Sequence, residues 1–223
     1  MSNKHLIYAT SNPGKIIEIR RHFGFHNIPV SALSDFVSVQ LDPAETGTTL
    51  GENAYIKALA YAEELAKNDS LRGKEFMVIS DDTGVFIDGL DGEPGIHVRR
   101  WIGRKMEDEE IINYTLARMQ ALVGDQRKAK FRTVLCMIGV DDDGTITEHQ
   151  TTEGFLEGRI LEGAHPTRIK GFPFESLFHA TRYDMLLGDL HRLPDEEKRA
   201  GKFNHREWAI ELAVPIIKAR MNR

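Results

Sequence analysis

The chain has little of several features that would place it in a specialised class of protein. It contains one cysteine, Cys136, among 223 residues, so a disulfide within the chain is impossible and a cytoplasmic location fits. No apolar run approaches the roughly 20 residues of a transmembrane helix, so we expect no membrane association. Basic residues are not in excess, since 29 Lys and Arg stand against 34 Asp and Glu, and this balance argues against binding of duplex nucleic acid. These absences leave an ordinary globular protein.

The most informative feature that is present is an apolar run that ends in two adjacent acids. Residues 76–79 are apolar, and Asp81, Asp82, Thr83 and Gly84 follow closely. This pattern predicts a buried strand that ends in a loop, and ligands bind at such strand ends in open α/β sheets. Two carboxylates there can hold a divalent metal, orient a water, or do both. Asp and Gly also form ordinary turns, so this segment alone leaves both interpretations open.

A second apolar run, near the start of the chain, ends in a loop that suits phosphate. Thr10 and Asn12 are residues that cap helices, Pro13 suits a first helical position, and Lys15 adds a positive charge. The start of a helix attracts phosphate through its free N–H groups. The loop lacks the first glycine of the G-x-x-x-x-G-K-[ST] motif. A well-capped helix with a surface lysine would explain the same residues.

A third segment predicts a helix over 50–67 that carries polar residues on one face. Thr49 and Glu52 have the spacing of a capping box. Asn53 and Lys57 are four residues apart and therefore share a face. That face is either solvated or directed toward Lys15 and Asp82.

These three segments, in this order, resemble the inosine triphosphate pyrophosphatase family, the Ham1-like enzymes that hydrolyse aberrant purine nucleoside triphosphates. The resemblance covers most of the chain, and the order and spacing of its motifs make it specific. The matching residues are Thr10, Asn12 and Lys15 of a T-x-N-x-x-K loop, Glu45, residues 52–58 of an E-N-A-x-x-K-A helix, residues 81–84 of a D-D-[ST]-G signature, and residues 92–95 of a G-x-P-G segment.

The resemblance implies cleavage of a nucleoside triphosphate to the monophosphate and pyrophosphate with Mg²⁺ as cofactor. Glu45 and Asp82 match the metal positions, and Asp82 also matches the proposed water-activating base. Asp81 is a second ligand or a support for its neighbour, and Lys57 and Lys15 hold phosphate oxygens as point charges. Further implied substrate-binding residues are Thr10, Asn12, Asn53, Thr83 and Gly84.

The chain departs from the family in the segment that reads the base. Where the family has G-F-G-Y-D-P-x-F, residues 171–178 read G-F-P-F-E-S-L-F. We expect a purine to stack near Phe172 and Phe174. The residues expected to read its polar edge are Glu175, Lys198, His205 and Arg206. The preferred base stays open, because one misplaced polar group changes such selectivity. The alternatives are the same chemistry on another base, or nucleotide binding without turnover.

A phosphatase of the haloacid dehalogenase type is a rival class, because it also places aspartates after a strand. Its two aspartates are separated by one residue, whereas Asp81 and Asp82 are adjacent and should point in different directions. The histidines other than His205 show no metal-binding spacing such as H-E-x-x-H, so we assign them no role. They include His5, His22, His26, His149, His179 and His191.

Alternating apolar patterns predict an α/β fold with a mixed β-sheet flanked by helices. The predicted strands are 5–10, 76–80, 84–88, 131–140 and 145–157, and the predicted helices are 14–23, 50–67, 106–122 and 205–221. Residues 141–144 predict a hairpin turn, and Pro215 should kink the last helix or end its first half. The resemblance adds a single domain over 1–223, elongated, with two lobes and an active-site cleft between them, and a homodimer.

Overall fold

Strands and helices alternate along most of the chain, as their apolar patterns predict. The structure is a computed structural model that describes residues 4–10, 12–37, 41 and 43–221. The described strands are β1 (His5–Tyr8), β2 (Val30–Ala32), β3 (Phe76–Ile87), β4 (Pro94–Gly95), β5 (Lys128–Val140), β6 (Ile146–Ile160), β7 (Phe178–Ala180) and β8 (Met185–Leu186). The described helices are α1 (Pro13–Phe25), α2 (Leu50–Leu65), α3 (Asp108–Arg118), α4 (Leu187–His191), α5 (Asp195–Arg199) and α6 (His205–Met221).

All the described strands join one mixed sheet in the order β2-β1-β3-β5-β6-β7-β8, with β4 beside β3. β1 runs parallel to both β2 and β3, as expected of strands joined by helical crossovers. β4 pairs antiparallel with β3, and β7 pairs antiparallel with β6 and β8. The predicted mixed α/β fold is confirmed.

The loop predicted between two strands at residues 81–83 is wrong, because β3 runs without a break from Phe76 to Ile87. Its first part pairs with β1 as far as Ile79, and its last part pairs with β4 through Val85 and Phe86. Gly84 allows the second pairing, since a Cβ there would lie 2.7 Å from the carbonyl oxygen of Gly95. The two acids therefore lie inside a strand, just beyond the end of its pairing with β1.

Helix α6 passes through Pro215, so the alternative in which the proline ends the first half of the helix is wrong, and a kink stays a prediction. Proline removes one hydrogen bond and crowds the preceding turn. Packing offsets this cost, because Ala209, Ile210, Ala213 and Ile217 on this helix are fully buried. The remaining predicted helices are found with ends that differ by a few residues.

The predicted hairpin turn is confirmed between β5 and β6. The N–H of Asp141 donates to the carbonyl of Thr145, and the N–H of Gly144 donates to the carbonyl of Asp141, both at 2.9 Å. Gly144 has a φ of 85°, which a glycine adopts without strain.

The chain divides into two compact units, each with its own core. The first unit comprises 1–82, 133–154 and 207–223, and the second comprises 83–132 and 155–206. The core of the first unit includes Tyr8, Ile19, Phe23, Leu135 and Ile210. The core of the second unit includes Val85, Ile111, Phe131, Phe174 and Phe178. The single domain over 1–223 stays a prediction.

Cys136 is a buried residue of the core. Its side chain is inaccessible to solvent, and burial raises the pKa of its thiol to about 12. No described helix combines the length and apolarity needed to cross a membrane.

Candidate active site

The first turn of α2 positions two polar side chains of the first unit. Thr49 Oγ1 accepts from the N–H of Glu52, and Glu52 Oε2 accepts from the N–H of Thr49, both at 3.1 Å. This is the predicted capping box, and it fixes where the helix begins. Asn53 and Lys57 then lie on one face of α2, and both contact Asp82. Their predicted orientation toward Asp82 is confirmed.

A close backbone approach holds the segment that precedes α2. The N–H of Gly47 donates to Asn53 Oδ1 at 2.9 Å, and a Cβ on Gly47 would lie 2.7 Å from that same oxygen. A larger residue would therefore push the segment away. Glu45, two residues earlier, thereby reaches Lys57. Gly47 was not among the predicted site residues, although it lies only two residues after Glu45, an implied metal ligand.

Lys57 lies between two carboxylates. Its Nζ is 2.9 Å from Glu45 Oε1 and 2.8 Å from Asp82 Oδ1. Burial alone would lower the pKa of Lys57, but the negative charges of Asp82, Glu45 and Asp81 outweigh burial and raise it. We call Glu45, Lys57 and Asp82 the carboxylate–lysine cluster. It brings two predicted metal ligands and one predicted phosphate-binding residue to a single place.

Asp82 is the more buried acid of this cluster, with 8% of its surface exposed. Burial raises its pKa above the ordinary value, and the charge and hydrogen bond of Lys57 oppose that rise. Asn53 Nδ2 donates to its second oxygen, Oδ2, at 3.4 Å. Asp82 is thus held in one orientation while its affinity for a proton is increased.

Asp81 points the other way, as adjacent residues of a strand do. Its Oδ2 is 2.9 Å from Lys15 Nζ, and its Oδ1 accepts a hydrogen bond from the hydroxyl of Tyr8. Sequence reasoning missed Tyr8, although a tyrosine in a buried strand usually needs a partner for its hydroxyl. The contacts of Asp81 fit a residue that holds Lys15 in place.

The loop that carries Lys15 has the predicted capped structure. Asn12 Oδ1 accepts from the N–H of Gly14 at 2.9 Å, and Thr10 Oγ1 accepts from the N–H of Asn12 at 3.2 Å. α1 begins at Pro13, so Lys15 lies in its first turn. Thr10 and Asn12 therefore shape the turn, and the positive end of the helix dipole adds to the charge of Lys15.

In the second unit, Glu175 lies in a short 3₁₀ turn over Pro173–Ser176. It is 4% exposed, and its Oε1 pairs with Nδ1 of His191. Its Oε2 is buried and has no hydrogen-bond partner among the described residues. Sequence reasoning gave His191 no role, and nothing in the local sequence links two residues that are 16 positions apart.

The two predicted stacking residues of this segment differ in accessibility. Phe172 is partly buried, and its ring meets the ring of His191 edge-on with centroids 5.4 Å apart. Phe174 is 3% exposed and packs edge-on against Phe131 in the core. The expectation that Phe174 presents an open ring face is therefore wrong, because core packing covers the ring.

The start of α6 contains further predicted residues of the base-reading part. Asn204 Oδ1 accepts from the N–H of Arg206 at 2.9 Å, so Asn204 caps this helix. The Arg206 guanidinium donates to Thr83 Oγ1 at 3.3 Å, and His205 stacks on Phe131 with ring centroids 4.6 Å apart. Lys198 is fully buried. The second unit therefore contains several buried polar side chains. Buried polar side chains usually have hydrogen-bond partners or a function.

Comparisons with known proteins agree with this arrangement. The sequence profile of the Ham1 family matches residues 6–216. A protein of Thermoanaerobacter pseudethanolicus named dITP/XTP pyrophosphatase is 32% identical over 205 residues, which is 92% of each chain. A Bacillus subtilis protein of the same name is 32% identical over 216 residues, covering 97% of this chain and 98% of the relative.

The fold also matches solved structures. The Staphylococcus aureus Ham1 protein superposes with a TM-score of 0.70 at 28% identity, over 97% of this chain and 99% of its own. The sequence profile, the relatives and the fold thus confirm the resemblance carried by the short motifs, and the chain belongs to the Ham1 family.

Proposed function

We propose that this protein hydrolyses aberrant purine nucleoside triphosphates, of the ITP, dITP and XTP type, to the monophosphate and pyrophosphate. The observation that carries the proposal is the carboxylate–lysine cluster, in a chain whose relatives are named dITP/XTP pyrophosphatases. Hydrolysis of a phosphoanhydride needs a positioned water, charge neutralisation and a held leaving group. The cluster contains residue types suited to each task.

The donor atoms of the cluster fit Mg²⁺, which prefers oxygen ligands and often uses one or two carboxylates. Glu45 and Asp82 already converge on one cationic group, the ammonium of Lys57. We assign Glu45 and Asp82 as the residues that would hold the ion. When bound, Mg²⁺ would neutralise phosphate charge.

We assign Asp82 as the group that takes the proton from the attacking water. A general base works best when its pKa approaches the working pH, and burial moves the pKa of Asp82 in that direction. Lys57 opposes this rise, and its positive charge favours the ionised carboxylate that accepts a proton. Asp81 acts indirectly in this proposal, by positioning Lys15.

Lys15 and Lys57 are the proposed ligands of the phosphate oxygens. Each ammonium already faces a carboxylate, so each can exchange that partner for a phosphate oxygen without entering an apolar environment. Lys15 is aided by the N-terminus of α1, where backbone N–H groups favour anions. Leaving pyrophosphate would be stabilised by the same charges.

The uncommitted oxygen of Glu175 supports selection of a 6-oxo purine. Oε2 can accept a hydrogen bond, and N1 of hypoxanthine or xanthine carries a proton that it can donate. N1 of adenine is an acceptor and would leave both groups unsatisfied, which is costly in a buried place. Phe172 is the more accessible of the two predicted rings for stacking. Arg206 and His205 are the further proposed donors toward O6.

A nucleotide panel with identification of products tests the proposal. Purified protein is incubated with ITP, dITP, XTP, GTP, ATP and dUTP, with Mg²⁺ or with a chelator, and pyrophosphate and orthophosphate are measured separately. We expect pyrophosphate and monophosphate in equal amounts, only with Mg²⁺, and fastest from ITP, dITP or XTP. Orthophosphate with a diphosphate product would overturn the proposal, because attack would then occur at the wrong phosphorus. Tight binding without any product would favour the nucleotide-binding alternative.

Assembly and location stay predictions. A homodimer, expected from the family resemblance, is tested by light scattering of the purified protein.

A further inference from the structure

Two helices of the first unit bring histidine and glutamate side chains together in a place that the proposed reaction does not use. His22 lies on α1, and His26 is the residue that caps the C-terminus of α1. Their rings are 6.0 Å apart, because a four-residue spacing places side chains on the same side. Glu207 and Glu211 have the same spacing on α6. Both helices contribute to the core of the first unit, which fixes their backbones.

The side chains of His22, His26 and Glu211 converge on a small volume. Nε2 of His22 and Nε2 of His26 each lie 2.6 Å from the same oxygen, Oε1 of Glu211. The nearest ligand atoms of all three side chains lie within 4.8 Å of one another. Two imidazoles and a carboxylate are therefore arranged around one point.

The surroundings hold these side chains in place. His22 is 1% exposed, so packing in the core restricts the orientation of its imidazole. Glu207 is 2% exposed and places Oε1 3.9 Å from Nδ1 of His22, the ring nitrogen opposite the shared point. At 3.9 Å the two atoms are too far apart for a hydrogen bond, so Glu207 places a negative charge beside the ring without fixing its orientation.

We propose that His22, His26 and Glu211 form a site for a transition-metal ion, with Zn²⁺ the best fit, that joins α1 to α6. Zn²⁺ binds imidazole nitrogen and carboxylate oxygen at about 2.0–2.2 Å, and three protein ligands leave its fourth position to water. Tetrahedral ligands at this distance lie about 3.3 Å apart. The pairs at 2.6 Å would therefore need to separate by less than about one ångström.

The ligand types distinguish this site from the carboxylate–lysine cluster. Mg²⁺ prefers oxygen ligands and binds imidazole poorly, whereas Zn²⁺ binds imidazole well. A large excess of Mg²⁺ should therefore saturate the oxygen-based cluster and leave the histidine site free for Zn²⁺. The inference does not depend on the proposed function.

The test is a calorimetric titration with Zn²⁺. The full-length protein is first treated with a chelator and then kept in excess Mg²⁺. Co²⁺, whose visible absorption reports nitrogen ligation and tetrahedral geometry, is the spectroscopic probe. We expect one ion per chain and a higher Tm with Zn²⁺. His26→Asn and Glu211→Gln should each lose this binding and the Tm increase. Glu207→Gln should keep one ion per chain but weaken its affinity, because it removes only a negative charge near the site.

His179→Asn is the matched control. His179 also faces a carboxylate, with Nε2 3.5 Å from Asp184 Oδ1, but it does not belong to the cluster. This variant should bind Zn²⁺ like the parent. Zn²⁺ binding that survives both His26→Asn and Glu211→Gln would overturn the proposal, as would displacement by Mg²⁺ or a requirement for millimolar Zn²⁺. His26 is a partly exposed cap, so His26→Asn should fold; unchanged Tm without metal checks this point.

Discussion

The two units of this chain differ in how their charged side chains are paired. In the first unit, Lys15 and Lys57 face carboxylates directly, at 2.9 and 2.8 Å. In the second unit, one buried oxygen of Glu175 has no hydrogen-bond partner in the part of the chain that the structure describes. Exchangeable ion pairs suit phosphate, which is the same in every nucleotide. An unsatisfied acceptor suits a base, which has to be distinguished by the position of its donors.

The departures from the family pattern follow the same division. The residues of the carboxylate–lysine cluster match the family motifs, whereas Pro173, Glu175 and Ser176 differ and lie together in one 3₁₀ turn. We therefore expect changes in the first unit to affect all nucleotides alike. Changes in the second unit should alter their ranking.

The largest expected effect is that of Asp82→Asn, which keeps the size of the side chain and removes the proposed base. The kcat should fall by about a hundredfold to ten-thousandfold for every nucleotide, with an unchanged ranking. Steady-state kinetics on ITP, XTP and ATP measure this fall, and circular dichroism checks folding. Asp88→Asn, at an exposed position close by in the sequence, is the control and should match the parent. Turnover of Asp82→Asn within a few-fold of the parent would contradict the assigned role.

The next effect is that of Lys57→Met, which removes a phosphate ligand and the cation that opposes the rise in the pKa of Asp82. We expect kcat/KM to fall by roughly ten- to a hundredfold. Activity requires ionised Asp82 and is lost as pH falls through its pKa. Without Lys57 that pKa rises further, so the acidic limb of the pH–rate profile should move to higher pH. Lys57→Arg keeps the charge and should leave the limb near its original position. If the acidic limb does not move in Lys57→Met, Asp82 is not the group whose ionisation limits activity at low pH.

A smaller and more selective effect is expected of Glu175→Gln. The amide keeps an acceptor but loses the charge that strengthens a hydrogen bond to N1–H, so the preference for ITP over ATP should shrink roughly tenfold. Competition assays with both nucleotides measure the ratio of kcat/KM. Glu157→Gln, at an exposed position of the same unit, is the control. A uniform loss on all nucleotides would assign Glu175 to structure and remove the contrast between the units.

The smallest effect concerns the stability of the first unit. Thr49→Ala removes the cap of α2 and should lower the free energy of unfolding by about 1 kcal/mol, as measured in urea. The ranking of bases should not change. Thr48→Ala removes only an exposed hydroxyl that donates to Glu52, so it should cost less. Equal losses of unfolding free energy in both variants would show that the capping hydrogen bond of Thr49 stabilises the protein no more than the exposed hydroxyl of Thr48.

The sequence predicted the long elements well because their apolar periodicity is strong. The last helix was predicted at 205–221 and is found there. β4 and β8 contain two residues each and carry no periodic signal, so only their pairing defines them. The continuity of β3 was missed for a related reason: Asp and Gly favour turns locally, but pairing with β4 overrides that preference.

The candidate site was predictable where a helix or strand sets the spacing. Asn53 and Lys57 share a face of α2, and both meet Asp82 as expected. Contacts between distant segments were not predictable, as in the pairs of Tyr8 with Asp81 and Glu175 with His191. The histidine cluster was missed because only local spacing such as H-E-x-x-H was considered, whereas His22 and Glu211 are 189 positions apart.

The burial of Cys136 has a practical consequence for studying this protein in solution. Maleimides and iodoacetamides react with thiolates, and a thiol with a pKa of about 12 and no solvent exposure stays unreacted near neutral pH. The native cysteine should therefore not react during site-directed labelling. Cysteines introduced at chosen surface positions, one in each unit, would accept fluorophores or spin labels without prior removal of the native residue.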